Sequence, residues 1–253
     1  MHPRILHLSA TNDYLVETGN GFLLVDTGYE EDWPLFERQL RAVGVSLAQI
    51  SHLFLTHHHD DHCGLLGKIT QANPQIRVVM SGQAKDLLLA GENDRTHGGG
   101  MINRQIQRLW IFKQGYLSIK LGRWVDKNNH LEFPVYRARA QDILISRDTR
   151  LKEIGIDLDA EILTTPGHSV DSISLLLDCG ACFVGDAAAN FLQMAGTHYC
   201  VIFVTDLDEY YKSWEKLLAW PVRTIYPAHG KPFPAEKLAE NLHKNTSAGM
   251  VRV

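Results

Sequence analysis

The sequence predicts a mixed α/β fold on three observations. Short apolar runs of strand length alternate with segments whose apolar residues recur at helical spacing. Five of the predicted strands end on histidine or aspartate. No internal repeat, low-complexity tract or Pro/Ser-rich linker divides the chain, so 1–253 reads as one domain.

Composition sets the outer limits. The 253 residues suffice for a substantial core, and 45% hydrophobic with 21% charged residues is ordinary for a globular protein. The formal net charge of -4 offers no electrostatic reason to expect nucleic acid as a partner. No apolar run approaches the roughly 18 residues that span a bilayer, and the N-terminus shows no apolar signal region. The expected location is therefore cytoplasmic, with no membrane partner. Of the four cysteines, Cys179 and Cys182 form a CxxC without a second pair to complete a zinc site, and are read as reduced thiols flanking a turn.

The elements follow in order. Ile5–Leu8, Tyr14–Thr18 and Phe22–Asp26 are strands separated by the turn signals Asn12-Asp13 and Gly19-Asn20-Gly21. Trp33, Phe36, Leu40 and Val43 share one helix face, and Gly44 stands where that helix would stop. Ile50–Thr56 is a strand running into a histidine cluster, Leu65–Ala72 a helix stopped by Asn73-Pro74, Ile76–Met80 a buried strand and Lys85–Ala90 a short helix. Residues 91–142 interrupt this rhythm and are read as an insertion with one or two helices, Ile102, Ile106, Leu109 and Phe112 forming one face. Strands resume at Ile143–Ser146, Glu161–Thr164, Ile173–Leu177 and Cys182–Gly185. A helix at Leu207–Leu218, a strand at Thr224–Pro227 and a helix at Ala235–Asn245 complete the chain.

The chemistry lies at strand ends: Asp26, His57-His58-His59-Asp60-Asp61-His62, His168, Asp186 and His229. Ligands offered from one rim share a crevice. Residues i and i+2 of an extended segment point the same way, so His57 and His59 can grip one ion. A turn then lets Asp61 and His62 face a second. Asp60 or Asp61 is also a candidate helix cap. Imidazole and carboxylate donors suit zinc, iron or manganese better than calcium or magnesium.

Here the sequence resembles the metallo-β-lactamase superfamily. His57-x-His59-x-Asp61-His62 matches its signature, Asp26 the early aspartate, and His168, Asp186 and His229 the later ligands in order. The resemblance implies a four-layer αβ/βα sandwich: two facing mixed sheets with helices on both outer faces. It also implies two divalent cations, Zn²⁺ first with Fe or Mn as alternatives. His57, His59 and His168 would bind one, Asp61, His62 and His229 the other, and Asp186 would bridge. Asp26 would hold a ligand by hydrogen bonds, Asp61 would double as a proton shuttle, and His58 and Asp60 would not ligate.

The implied reaction is hydrolysis by a metal-bridging hydroxide of a small ester, thioester or lactone. The alternatives are a phosphodiesterase or ribonuclease on the same dinuclear site, and a mono-iron oxidoreductase of the persulfide dioxygenase kind. Asp186 speaks against antibiotic hydrolysis, because the true β-lactamases lack that bridging aspartate. The short stretch after His229 speaks against the glyoxalase II subtype, and His59 against the flavo-di-iron branch. No tyrosine closely follows Asp186, as it does in many acyl-homoserine lactonases; Tyr199 and Tyr116 are the candidates to replace it. The insertion is the expected source of specificity, as a lid hinged at Gly98-Gly99-Gly100. Arg95, His97, Arg104 and Arg108 could meet an anionic substrate, with Trp110, Phe112 and Tyr116 as an apolar wall; each is more simply a solvated or packed side chain. A homodimer is left open.

Overall fold

The computed structural model describes residues 3–94, 96–121 and 131–252, and of 113–121 the backbone alone. Arg95 and the side chain of Tyr116 therefore lie outside the described residues.

The first sheet contains β1 (Arg4–His7), β2 (Asn12–Thr18), β3 (Gly21–Val25), β4 (Ile50–Phe54) and β5 (Arg77–Ser81). Beyond the two-residue β6 (Gly100–Met101), its sixth strand is β7 (Ile143–Ile145). The β1–β3 pairs are antiparallel, and β3, β4, β5 and β7 run parallel. The second sheet has the order β14-β13-β11-β10-β9-β8, formed by β8 (Thr149–Arg150), β9 (Ala160–Thr164), β10 (Ile173–Leu177), β11 (Ala181–Gly185), β13 (Thr224–Pro227) and β14 (Phe233–Pro234). β6, β12 (Phe203–Val204) and β15 (Val251–Arg252) make a third, small sheet.

Period-2 alternation builds the layers. On the first sheet Tyr14, Val16, Leu23, Val25, Phe54 and Val79 point inward and meet Ile173, Leu175, Leu177 and Phe183 of the second. Their neighbours Leu15, Leu24, Leu53, Val78 and Met80 point outward. There they pack beneath α1 (Trp33–Ala42), α3 (Leu66–Ala72) and α4 (Ala84–Ala90); α2 is the single turn Asp60–Cys63. On the second sheet Leu176, Cys182 and Val184 face outward beneath α6 (Leu207–Ala219), where Trp214 is wholly buried. Its indole N–H donates to Ala187 O at 2.6 Å. The result is the four-layer sandwich expected. Among the described residues no helix is long and apolar enough to cross a membrane.

Three local readings need correction. In α5 (Arg104–Leu121), Ile102 just before the helix and Ile106 in its first turn are buried, but Leu109 and Phe112 are 44% and 76% exposed. Asn103 explains the difference. Its Nδ2 donates to Ala195 O and Gly196 O, and its Oδ1 accepts from Ile106 N–H, so Asn103 pins the start of the helix. The last helix, α7 (Glu236–Asn241), ends before Asn245. Asn245 instead donates its N–H to Tyr211 Oη and its side-chain amide to Thr197 O, and His243 adopts φ +56°. Finally, neither Asp60 nor Asp61 caps α2: His59 holds the N-cap position without a side-chain bond.

The 91–142 segment is also more integrated than its composition suggests. Phe133 and Tyr136 belong to the core outside the first sheet. Arg139 is tied to Asp142 at 2.8 Å and to Ile76 O at 2.5 Å.

Candidate metal centre

The ends of β3, β4, β9, β11 and β13 meet at one rim. Two glycines allow the approach. At Gly185, φ is +51°, and a Cβ would lie 2.3 Å from Thr56 Oγ1, so only glycine lets the end of β11 press against the end of β4. At Gly167, a Cβ would lie 2.3 Å from the Tyr210 amide. The first closure sets Asp186 beside the histidine cluster; the second sets His168 there.

Three histidines converge. His168 Nε2 lies 3.1 Å from His57 Nε2 and 2.8 Å from His59 Nδ1. Their partners fix which nitrogens carry protons. His168 Nδ1 is 2.8 Å from Phe203 O, which can only accept, so Nδ1 bears the hydrogen and Nε2 is bare. His57 Nδ1 is 3.1 Å from Thr56 Oγ1, and that hydroxyl already gives its hydrogen to Asp26 Oδ2 at 2.8 Å. His57 Nε2 is therefore bare as well. Lone pairs aimed at one point repel unless a cation lies among them.

A second group adjoins the first. His62 Nε2 and His229 Nε2 face Asp61 at 3.6 and 3.3 Å. Both rings are again oriented from behind: His62 Nδ1 donates to Asp26 Oδ2 at 2.9 Å, and His229 Nδ1 to Ala10 O at 3.1 Å. Asp186 stands between the groups and divides its oxygens. Oδ1 is 3.6 Å from His62 Nε2 and 3.3 Å from His229 Nε2, while Oδ2 is 3.4 Å from His168 Nε2.

The donor set fits divalent cations. His57/His59/His168, His57/His62/Asp186 and Asp61/His62/His229 are each grouped tightly enough to hold an ion. His62 Nε2 and Asp186 Oδ1 are buried without a hydrogen-bond partner, a cost that coordination would remove.

Electrostatics agree. Burial, reinforced by the neighbouring imidazoles, pushes His57 and His59 well below the usual histidine range, and burial also lowers His168. For His62 burial opposes the charged form, but Asp61, Asp26 and Asp186 outweigh it and raise the ring to about 10. His229 is raised likewise, Asp186 and Asp61 outweighing burial. Burial would raise the Asp61 and Asp186 carboxyls, yet the facing histidines hold both below the usual range. The crevice thus demands positive charge, which protons supply on His62 and His229 when no cation does.

Each site residue read from the sequence lies at this rim. Asp26 accepts from Thr56 N–H at 2.8 Å, Thr56 Oγ1 and His62 Nδ1, with its own backbone at φ +59°. His58 and Asp60 point elsewhere, His58 to Asp171 and Asp60 to Asn93. Sequence reading missed the roles of Thr56, Phe203 O and Ala10 O. Thr56 adjoins the motif and was findable; a backbone carbonyl has no sequence signature.

Tyr29 was also missed. Burial and then the Asp61, Asp60 and Asp186 carboxylates keep its phenol protonated. It borders an acidic cavity with Glu30, Glu31, Asp60 and Glu132. Tyr199, by contrast, packs its ring on Phe233 at 4.5 Å.

The fold and this cluster define an α/β sandwich with a histidine–aspartate crevice suited to divalent cations. The sequence profile of the metallo-beta-lactamase superfamily matches residues 8–229, and the chain belongs to that superfamily. It is 40% identical over 233 residues to the lactamase-like protein nscB of Neosartorya fischeri, covering 90% of this chain and 51% of that protein. It is 27% identical over 251 residues to the lactamase-like protein adaB of Aspergillus niger, covering 97% and 58%. The chain thus spans little more than half the length of these curated relatives. Among solved structures, the subclass B3 metallo-beta-lactamase BJP-1 of Bradyrhizobium japonicum superposes with a TM-score of 0.60 at 18% identity, over 93% of this chain and 84% of that one. An archaeal superfamily protein from Sulfolobus tokodaii gives 0.58 at 18% identity, over 95% and 84%. These two likenesses are of fold.

Proposed function

We propose that this protein is a dinuclear metal-dependent hydrolase, with zinc as the favoured ion, acting on a small ester, thioester or lactone. The observation that carries the proposal is the division of Asp186: one oxygen toward His168, the other toward His62 and His229. A carboxylate so placed would be shared by two ions, His57, His59 and His168 holding one and Asp61, His62 and His229 the other. Two such ions would polarise the substrate oxygen and acidify a water at neutral pH.

The chain's own residues supply the rest. Asp26 fixes the His62 ring, and through Thr56 the His57 ring, so that both Nε2 atoms face the crevice. Asp61, with its side chain 15% exposed, can take a proton from water at Oδ1 or Oδ2 and pass it outward. The Tyr29 phenol, kept protonated by burial and the Asp61, Asp60 and Asp186 carboxylates, borders an acidic cavity. Glu30, Glu31, Asp60 and Glu132 make the neighbouring surface acidic, which disfavours a polyanion and supports a small acyl substrate over nucleic acid.

The test is turnover of a panel of thioesters, lactones, simple esters and phosphodiesters by zinc-loaded and chelator-treated protein. Zinc-dependent cleavage of a carbonyl substrate supports the proposal. Cleavage of phosphodiesters alone would move the assignment to the phosphodiesterase reading, and one redox-active iron per chain would move it to oxidation.

A further inference from the structure

The two motif residues that turn away from the candidate ligand set, His58 and Asp60, grip another segment. His58 is wholly buried, and its Nδ1 donates to Asp171 Oδ1 at 2.8 Å. Its Nε2 is therefore bare, and accepts the Asp94 N–H at 3.0 Å. The Asp60 N–H donates to Asn93 Oδ1 at 2.9 Å, and Asp60 Oδ1 accepts from Asn93 Nδ2 at 2.8 Å. Three hydrogen bonds thus tie residues 93–94 to positions interleaved with His57, His59 and Asp61.

The far end of this segment reaches the same centre by another route. Gly100 and Met101 pair with Val204 and Phe203, and Phe203 O is the acceptor that orients His168. The chain is pressed in place there: a Cβ on Gly99 would lie 2.8 Å from Val204 O, and one on Gly100 2.3 Å from Val251 O. Residues 93–94 and 96–101 therefore form a stem anchored at one end to the loop bearing His57 and His59 and at the other to the strand that holds His168. Between the anchors, the Asp94 carboxylate accepts from Thr96 N–H, Thr96 Oγ1 and His97 Nδ1, which ties the middle of the stem to its first end.

We propose that His58 and Asp60 are positioning residues that couple cation binding at the His57/His59/His168 group to this stem. This rests on the metal reading above and extends it. A cation that orders the 57–62 loop also orders the stem through His58 and Asp60. By reciprocity, loosening the stem weakens the cation.

Amide hydrogen exchange across residues 93–101, with and without zinc, tests the coupling in the wild type and in His58→Phe, His58→Gln and Asn93→Ala. In the wild type, zinc should slow exchange there about 10-fold or more. His58→Phe and Asn93→Ala should lose most of that slowing while still binding zinc, about 3- to 10-fold more weakly at the first group. His58→Gln, which can still donate and accept, should restore much of it. If His58→Phe fails to fold, Asn93→Ala, at a half-buried position, carries the test. Zinc binding with unchanged stem exchange in the wild type, or equal slowing in the wild type and both variants, overturns the coupling alone. A wild-type protein that binds no zinc overturns the metal reading and the coupling with it.

Discussion

Asp26→Asn isolates the support behind the candidate ligands from the ligands themselves. Asp26 Oδ2 accepts two hydrogen bonds, from His62 Nδ1 at 2.9 Å and Thr56 Oγ1 at 2.8 Å, and Oδ1 accepts the Thr56 N–H at 2.8 Å. Asparagine keeps the shape but has one acceptor oxygen and one donor nitrogen. Whichever way the amide turns, its NH₂ faces at least one buried donor. Hydrogen bonds to a charged group contribute about 1.5–3 kcal/mol each, so the substitution should cost the fold about 2–4 kcal/mol. The larger signal is in metal affinity. With His62 no longer locked, zinc affinity at the Asp61/His62/His229 group should fall about 10- to 100-fold, the range typical of such supporting residues. The His57/His59/His168 group, reached only through Thr56, should lose less. Competition with a chromophoric zinc chelator reads both affinities, and urea denaturation of metal-free protein reads the stability. Two zinc ions bound as tightly as in the wild type, with unchanged stability, would refute the assignment of Asp26 as the residue that aims His62.

Other outcomes follow from the same geometry. Zinc binding should release protons: His62, raised to about 10, and His229, also raised, must each lose one, so affinity should climb with pH from neutrality upward. Calorimetry in buffers of different ionisation enthalpy should count about two protons per filled second group, and a count near zero would show both rings already neutral. Without metal, the His62 contribution to stability has the opposite trend. Its folded pKa is raised, so that contribution is complete below the unfolded value of 6.5 and disappears as pH rises through about 10. Gly185→Ala should destabilise by about 2 kcal/mol or more and weaken both ions, because its methyl would lie 2.3 Å from Thr56 Oγ1; wild-type melting and zinc affinity would contradict the close-approach argument. Trp214→Phe should cost about 1–3 kcal/mol in denaturant melts by leaving Ala187 O buried and unpaired, without changing zinc stoichiometry.

Much of the fold could be read from period and punctuation. Leu15 against Val16, and Leu53 against Phe54, alternate between two cores because a strand turns successive side chains to opposite faces. The residues that gather at the rim were legible because histidine and aspartate are scarce types standing at fixed offsets from strand ends. Tertiary contacts overrode periodicity elsewhere. Ile102 and Ile106 are buried while Leu109 and Phe112 are exposed, since Asn103 anchors the start of α5. The last helix stops short because Asn245 finds its partners in Tyr211 and Thr197. The orienting acceptors Phe203 O and Ala10 O belong to the backbone, and the purpose of Gly185 appears only when β4 lies against it.

The most direct measurement is anomalous X-ray diffraction at the zinc edge from zinc-soaked crystals. Two peaks about 3.5–4 Å apart are expected. One should lie among His57 Nε2, His59 Nδ1 and His168 Nε2, the other among Asp61, His62 and His229, with one Asp186 oxygen on each. A single peak, or two peaks with Asp186 turned away from one of them, would contradict the proposed dinuclear centre.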